Sequence, residues 1–194
     1  MSLLLQIIEA SKQINGSPPM DWNHYFMSIA FLASMRSPCK RLRVGSVIVK
    51  DHRIISMGYN GFITGASHTS RIRDNHEQAI IHSEINAICD CARRGATLQD
   101  AVIYITHYPC INCFRALASC GIKHIYYYLD YNNDSLVPHI ADDADISIHK
   151  LDPPASVARD HTNAGHPVPQ VCSLHTKEEE DDGWRDNSFV LGDL

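Results

Sequence analysis

His82-Ser83-Glu84 and Pro109-Cys110-Ile111-Asn112-Cys113 are the residues from which the rest of this chain is read, with the apolar run Ala101-Val102-Ile103-Tyr104-Ile105 between them. One imidazole and two thiolates can hold a zinc ion while leaving its fourth position open, which separates reactive zinc from structural zinc. Cys110 and Cys113 are three apart, so on the first turn of a helix they share a side and can share a metal. The free N–H groups and dipole at that helix end favour thiolate over thiol. His82 and Glu84 are not neighbours on a helix face. They would diverge, the imidazole to the metal and the carboxylate to a bound water and substrate. Either motif alone is common: an H-x-E arises by chance, and one C-x-x-C is more often structural zinc, a redox pair or core. Their order and the strand between them carry the weight. His82 and Cys110 are 28 positions apart, enough for a helix, a turn and a strand that returns to the first helix's start.

Working outward, the pattern predicts a helix over Ala79 to Arg94 capped by Gly95, a buried strand over Ala101 to Ile105, a helix from Cys110 to Gly121, and a strand over Ile125 to Leu129. Upstream, Asp21 is the expected N-cap of a helix to about Met35, with Phe26, Ile29, Ala30, Leu32 and Ala33 at helical spacing. Val44 to Val49 and Ile54 to Tyr59 flank Lys50-Asp51-His52-Arg53 and read as a β-hairpin. A polar stretch of about twenty residues follows Asn60-Gly61, long enough to suggest a function or a metal brace. Ala144 to Lys150 reads as an edge strand. Strand pairs alternating with helices imply an α/β fold: a three-layer α/β/α sandwich around a mixed five-stranded sheet.

Composition narrows the function. With 194 residues, 44% of them hydrophobic, one core is expected. We divide the chain into an N-terminal extra helix and linker (1–19), a metal-binding domain (20–151) and a polar tail (152–194) that looks partly disordered. The helix over Ser2 to Ile14 is too short to span a membrane and would dock on the body or on another subunit. A formal net charge of −5 argues against nucleic acid and for a small-molecule substrate. Seven cysteines, an odd number, and no secretory signal point to reduced thiols in the cytoplasm, with Cys89, Cys91 and Cys120 as core packing.

These residues resemble the deoxycytidylate (dCMP) deaminase family of the cytidine-deaminase-like fold, from about Asp21 to Lys150. The resemblance rests on Tyr25-Phe26-Met27, Val44-Gly45-Ser46-Val47-Ile48-Val49, Gly58-Tyr59-Asn60-Gly61, His82-Ser83-Glu84-Ile85-Asn86-Ala87-Ile88, the P-C-x-x-C and Gly121-Ile122-Lys123. It implies zinc-dependent conversion of dCMP to dUMP, with Glu84 as acid/base and His82, Cys110 and Cys113 as ligands. It also implies a homo-oligomer, often a hexamer, activated by dCTP, inhibited by dTTP, and serving thymidylate synthesis. Gly58, Tyr59, Asn60 and Gly61 would lie at nucleotide and effector sites, Tyr131 would approach the substrate, and Ser83 replaces the family's usual alanine. That exchange is expected to be mild, the position contributing its backbone. Some relatives carry a second, structural zinc, and Cys39, His68 and His76 sit at comparable places. They either form such a site or are two solvated histidines and a buried thiol. Rival functions are deamination of dCTP or of another cytosine nucleotide or nucleoside, tRNA adenosine editing, which the acidic balance disfavours, and a catalytically inactive zinc- and nucleotide-binding module.

Overall fold

The structure is a computed structural model that describes residues 2–12, 16, 18–74 and 76–153, apart from the side chain of His76. The C-terminal tail from residue 154 on, with the expectation placed on it, lies outside the described residues. A five-stranded mixed sheet runs in the order β2-β1-β5-β6-β7, formed by β1 (Gly45–Lys50), β2 (Arg53–Tyr59), β5 (Val102–His107), β6 (His124–Leu129) and β7 (Ser147–Lys150). A separate two-stranded ribbon, β3 (Ile72–Arg73) and β4 (His76–Glu77), occupies the polar stretch. β1 is antiparallel to both β2 and β5, while β5, β6 and β7 are mutually parallel.

Side-chain alternation sends each strand to two cores. Val47, Val49 and Tyr104 meet Phe26, Met27 and Ala30 of α2 (Trp22–Ser34), the one helix among the described residues that packs on this face. Ile48, Ile103, Ile105 and Ile125 point the other way, to α3 (Ser83–Arg94), α4 (Ile111–Ser119) and α5 (Leu136–Asp143). This is the expected three-layer sandwich. Asp21 caps α2 as read, its carboxylate accepting the His24 N–H at 3.1 Å. The hairpin turn is tighter than expected: Asp51 and His52, with φ of 50° and 58°, make a two-residue turn whose left-handed pair matches the strand twist.

Two other expectations are corrected. α3 begins at Ser83, not Ala79, because Ile81 exchanges backbone hydrogen bonds with Gly61 at 2.7 and 3.0 Å and is committed to extended pairing. Cys89 is exposed and Cys120 only partly buried, so of that trio Cys91 alone is fully in the core. α1 (Leu3–Lys12) forms where expected but buries none of its residues against the described body. α5 has no counterpart in the sequence reading. Its Pro138 lies in the first turn, where the missing N–H costs nothing. No helix among the described residues is long and apolar enough to cross a membrane.

Candidate active site

Both motifs lie at helix starts. His82 is the N-cap of α3 and Cys110 the N-cap of α4, each with extended backbone (φ −65°, ψ 151° and φ −70°, ψ 160°), so their side chains project past the helix ends. Cys113 is three residues into α4 and buried. Nδ1 of His82 lies 3.6 Å from Sγ of Cys110 and 3.4 Å from Sγ of Cys113. Tetrahedral zinc with its usual bonds to sulfur and nitrogen would separate these atoms by roughly 3.5 Å, so the set fits the ion. This is the one group of three metal-binding side chains among the described residues. Cys39 and His68 do not enter it: Cys39 is buried on the cavity wall and His68 is exposed, its ring stacked on Phe62 at 4.9 Å. The side chain of His76 lies outside the described residues.

Charge follows the geometry. Hydrogen bonds from Cys113 and His82 pull the Cys110 thiol down to about 4, whereas Cys110 and burial push the Cys113 thiol up. One thiolate forms readily, and a dication is what lets both ionise. The hydrogen bond to Cys110 raises the proton affinity of His82. Glu84 is 4% exposed, and burial pushes its carboxyl up, against the Ser83 hydroxyl that donates to Oε2 at 2.8 Å. Position 83 therefore contributes its side chain as well as its backbone, contrary to the expectation from sequence.

A cavity of about 600 Å³ opens over this cluster, lined by His82, Glu84 and Cys110 together with Arg41, His107 and Tyr131. It lies beyond the C-terminal end of β5, beside the switch from antiparallel to parallel pairing, where open α/β sheets bind ligands. Asn60 lines it as well, with half of its side chain's hydrogen-bonding capacity already used. Oδ1 accepts the Ser83 N–H at 2.9 Å, satisfying a free donor of α3, and Nδ2 donates to the Leu42 carbonyl at 3.0 Å. Gly58, Tyr59, Gly61 and Ser83 are not on the cavity wall. Gly58 lets β2 approach α3, since a Cβ there would lie 2.0 Å from the Ser83 carbonyl. Tyr59 and Gly61 serve through their backbones, bound to Asn86 and Ile81. Arg41 and His107 escaped the sequence reading. Tyr131 lines the cavity, accepts a hydrogen bond from Arg41 at 3.4 Å and meets the His107 ring edge to face.

Residues 20–129 match the family described as "Cytidine and deoxycytidylate deaminase zinc-binding region". The chain belongs to that family. Among its relatives, ComE operon protein 2 of Bacillus subtilis is 39% identical over 137 residues, covering 69% of this chain and 72% of the relative. Deoxycytidylate deaminase of Mycobacterium phage D29 is 35% identical over 122 residues, covering 55% of this chain and 94% of the phage protein. Of solved structures, the dCMP deaminase of cyanophage S-TIM5 in complex with dCMP and dUMP superposes with a TM-score of 0.61 at 28% identity, over 69% of this chain and all of that one. The family places a zinc site and a deaminase fold in residues where the geometry independently gathers His82, Cys110 and Cys113.

Proposed function

We propose that this chain hydrolyses dCMP to dUMP and ammonia. The observation that carries the reading is the meeting of His82, Cys110 and Cys113 beside buried Glu84 at the cavity. The cyanophage relative that binds dCMP and dUMP supports the substrate, and so does Arg41. Arg41 lines the cavity without a carboxylate partner among the described residues, a cation suited to a phosphate.

His82 Nδ1 and the sulfurs of Cys110 and Cys113 would hold zinc, which when bound supplies a water of lowered pKa as the nucleophile. The chain's own residues do the rest. Glu84 moves the protons. The reaction consumes one water: its oxygen ends on C4 of the ring, and its two protons pass by way of Glu84 to ring nitrogen N3 and to the departing amine. Ser83 and the fold around Asn60 orient that carboxylate, and the wall carrying Arg41 and Tyr131 orients the nucleotide.

The same reading carries finer expectations from the resemblance. Residues 20–151 form the deaminase domain, flanked by 1–19 and 152–194. The assembly is a homohexamer, dCTP activates it, dTTP inhibits it, and its cytoplasmic product serves thymidylate synthesis. Zinc is taken as one equivalent per chain. A second equivalent lost on changing His76 would restore the structural site read over Cys39, His68 and His76.

The test is loss of cytosine absorbance on mixing the zinc-loaded protein with dCMP, dCTP and deoxycytidine in turn, with and without dCTP or dTTP as effector. dCMP is expected to be the preferred substrate. Glu84→Gln should keep its zinc and lose turnover. A zinc-loaded Glu84→Gln protein with wild-type turnover would refute the role given to this carboxylate.

A further inference from the structure

Thr106 and His107 end β5 at the cavity, and no motif singles out either. Thr106 is fully buried; its Oγ1 accepts the Gly45 N–H at 3.2 Å and lies 2.9 Å from Nδ1 of His107. A hydroxyl has one proton to give. Were His107 to donate from Nδ1, that hydroxyl would accept twice, and its proton would stay buried without an acceptor among the described residues. With the hydroxyl donating to Nδ1 instead, every group is used. Hydrogen-bond accounting therefore puts the ring proton on Nε2.

A ring that accepts at Nδ1 is neutral and offers a single N–H; His107 is half-buried, and that burial lowers its proton affinity in the same sense. Nε2 has no hydrogen-bond partner among the described residues, and the ring lines the cavity. It meets Tyr131 edge to face, with centroids 6.1 Å apart, and the Tyr131 hydroxyl accepts from Arg41 while keeping its own proton to donate. Three stretches distant in sequence thus bring donors to one part of the wall. Glu77, a carboxylate that also lines the cavity, is already bound by Ser70, Arg71 N–H and Ala79 N–H. The reacting base belongs beside Glu84, and a cluster made of a guanidinium, a phenol and an imidazole N–H has the donors that a phosphate takes.

We propose that His107, held by Thr106 with its proton on Nε2, is a specificity-determining donor to a phosphate oxygen of the substrate, acting alongside Arg41 and Tyr131. The inference rests on reading the cavity as a nucleoside monophosphate site. It predicts that the cavity tells dCMP from deoxycytidine partly through one neutral N–H.

His107→Phe keeps a ring without a donor, and His107→Gln returns an amide N–H near the place of Nε2. On the zinc-loaded protein, His107→Phe should raise KM for dCMP about tenfold with kcat within twofold, and leave kcat/KM for deoxycytidine unchanged. His107→Gln should recover most of that loss. Independently of activity, ¹⁵N correlation of the His107 ring should show the proton on Nε2 in wild type and a mixture of tautomers in Thr106→Val. Equal losses on both substrates, or a proton found on Nδ1 in wild type, would overturn the inference. Wild-type protein that turns over neither substrate would sink the cavity reading and this inference together; active wild type with undiscriminating variants would sink the inference alone.

Discussion

Gly58→Ala tests whether the contact between β2 and α3 sets the site. The added Cβ would lie 2.0 Å from the Ser83 carbonyl oxygen and 2.8 Å from the Ala87 nitrogen, both backbone atoms that cannot swing aside. Restoring a separation of 3.0 Å requires strand and helix to part by about 1 Å at the turn that carries His82 and Glu84. Overpacking of this kind costs about 1–3 kcal/mol. Alanine recovers roughly 0.5–1 kcal/mol over glycine through lower chain entropy. The net loss of about 1–2 kcal/mol corresponds to a Tm lower by roughly 2–8 °C. Activity should suffer more than stability, because a displacement of about 1 Å in a reacting group costs on the order of a hundredfold. Gly61→Ala is the control in the same box. Its Cβ would make an ordinary 3.4 Å contact with the Tyr59 ring, and its backbone is not left-handed. Thermal melts, zinc content and dCMP turnover should therefore separate the two variants. If Gly58→Ala matched Gly61→Ala in Tm and kcat, the claim that Gly58 seats α3 would be wrong.

Other expectations follow from single contacts. Asn60→Ala strands the buried Ser83 N–H, at about 1–3 kcal/mol, and the partly buried Leu42 carbonyl, at about 1 kcal/mol, so urea denaturation should show a loss of roughly 2–4 kcal/mol; an unchanged midpoint would count against the cap. Arg41→Ala should raise KM for dCMP and spare deoxycytidine, as initial rates will show. Cys113→Ser should abolish stoichiometric zinc by elemental analysis while leaving the far-ultraviolet circular dichroism of the sheet intact. His24 bonds the Asp152 carbonyl and then Asp21, which together raise its pKa above 6.5, while His24 lowers that of Asp21 below 3.8. The raised group stabilises fully below pH 6.5 and loses its effect as pH climbs through the folded value. The lowered group stabilises above pH 3.8 and loses its effect as pH falls through its own. The Tm difference between wild type and His24→Gln should thus be widest between those limits and shrink toward pH 8.5. It should correspond to no more than about 1 kcal/mol, since Asp21 faces solvent.

Much of this molecule was legible from residue types and spacing, because those report local physics. Short apolar runs marked β1, β2, β5 and β6, the Asp21 cap marked α2, and Gly95 marked the end of α3 with its left-handed φ of 67°. The trio of His82, Cys110 and Cys113 was also readable, since a C-x-x-C at a helix start shares one side wherever it is placed. α5 was not, because four apolar residues around Pro138 make too short a period to stand out from a loop.

What chemistry-bearing residue types can do is written in order and spacing: a metal trio, a carboxylate beside it and a sheet to carry them. Which distant residues face that trio is decided by the way β1, β5 and the loop after β6 come together, and no spacing records it. Asn60 was expected at a ligand; it lines the cavity and also caps α3, its Oδ1 accepting the Ser83 N–H. Arg41 and His107 gain their places only when Tyr131 folds against both. Local chemistry repeats along a chain and can be read there; encounters between segments a hundred residues apart arise only in the folded core.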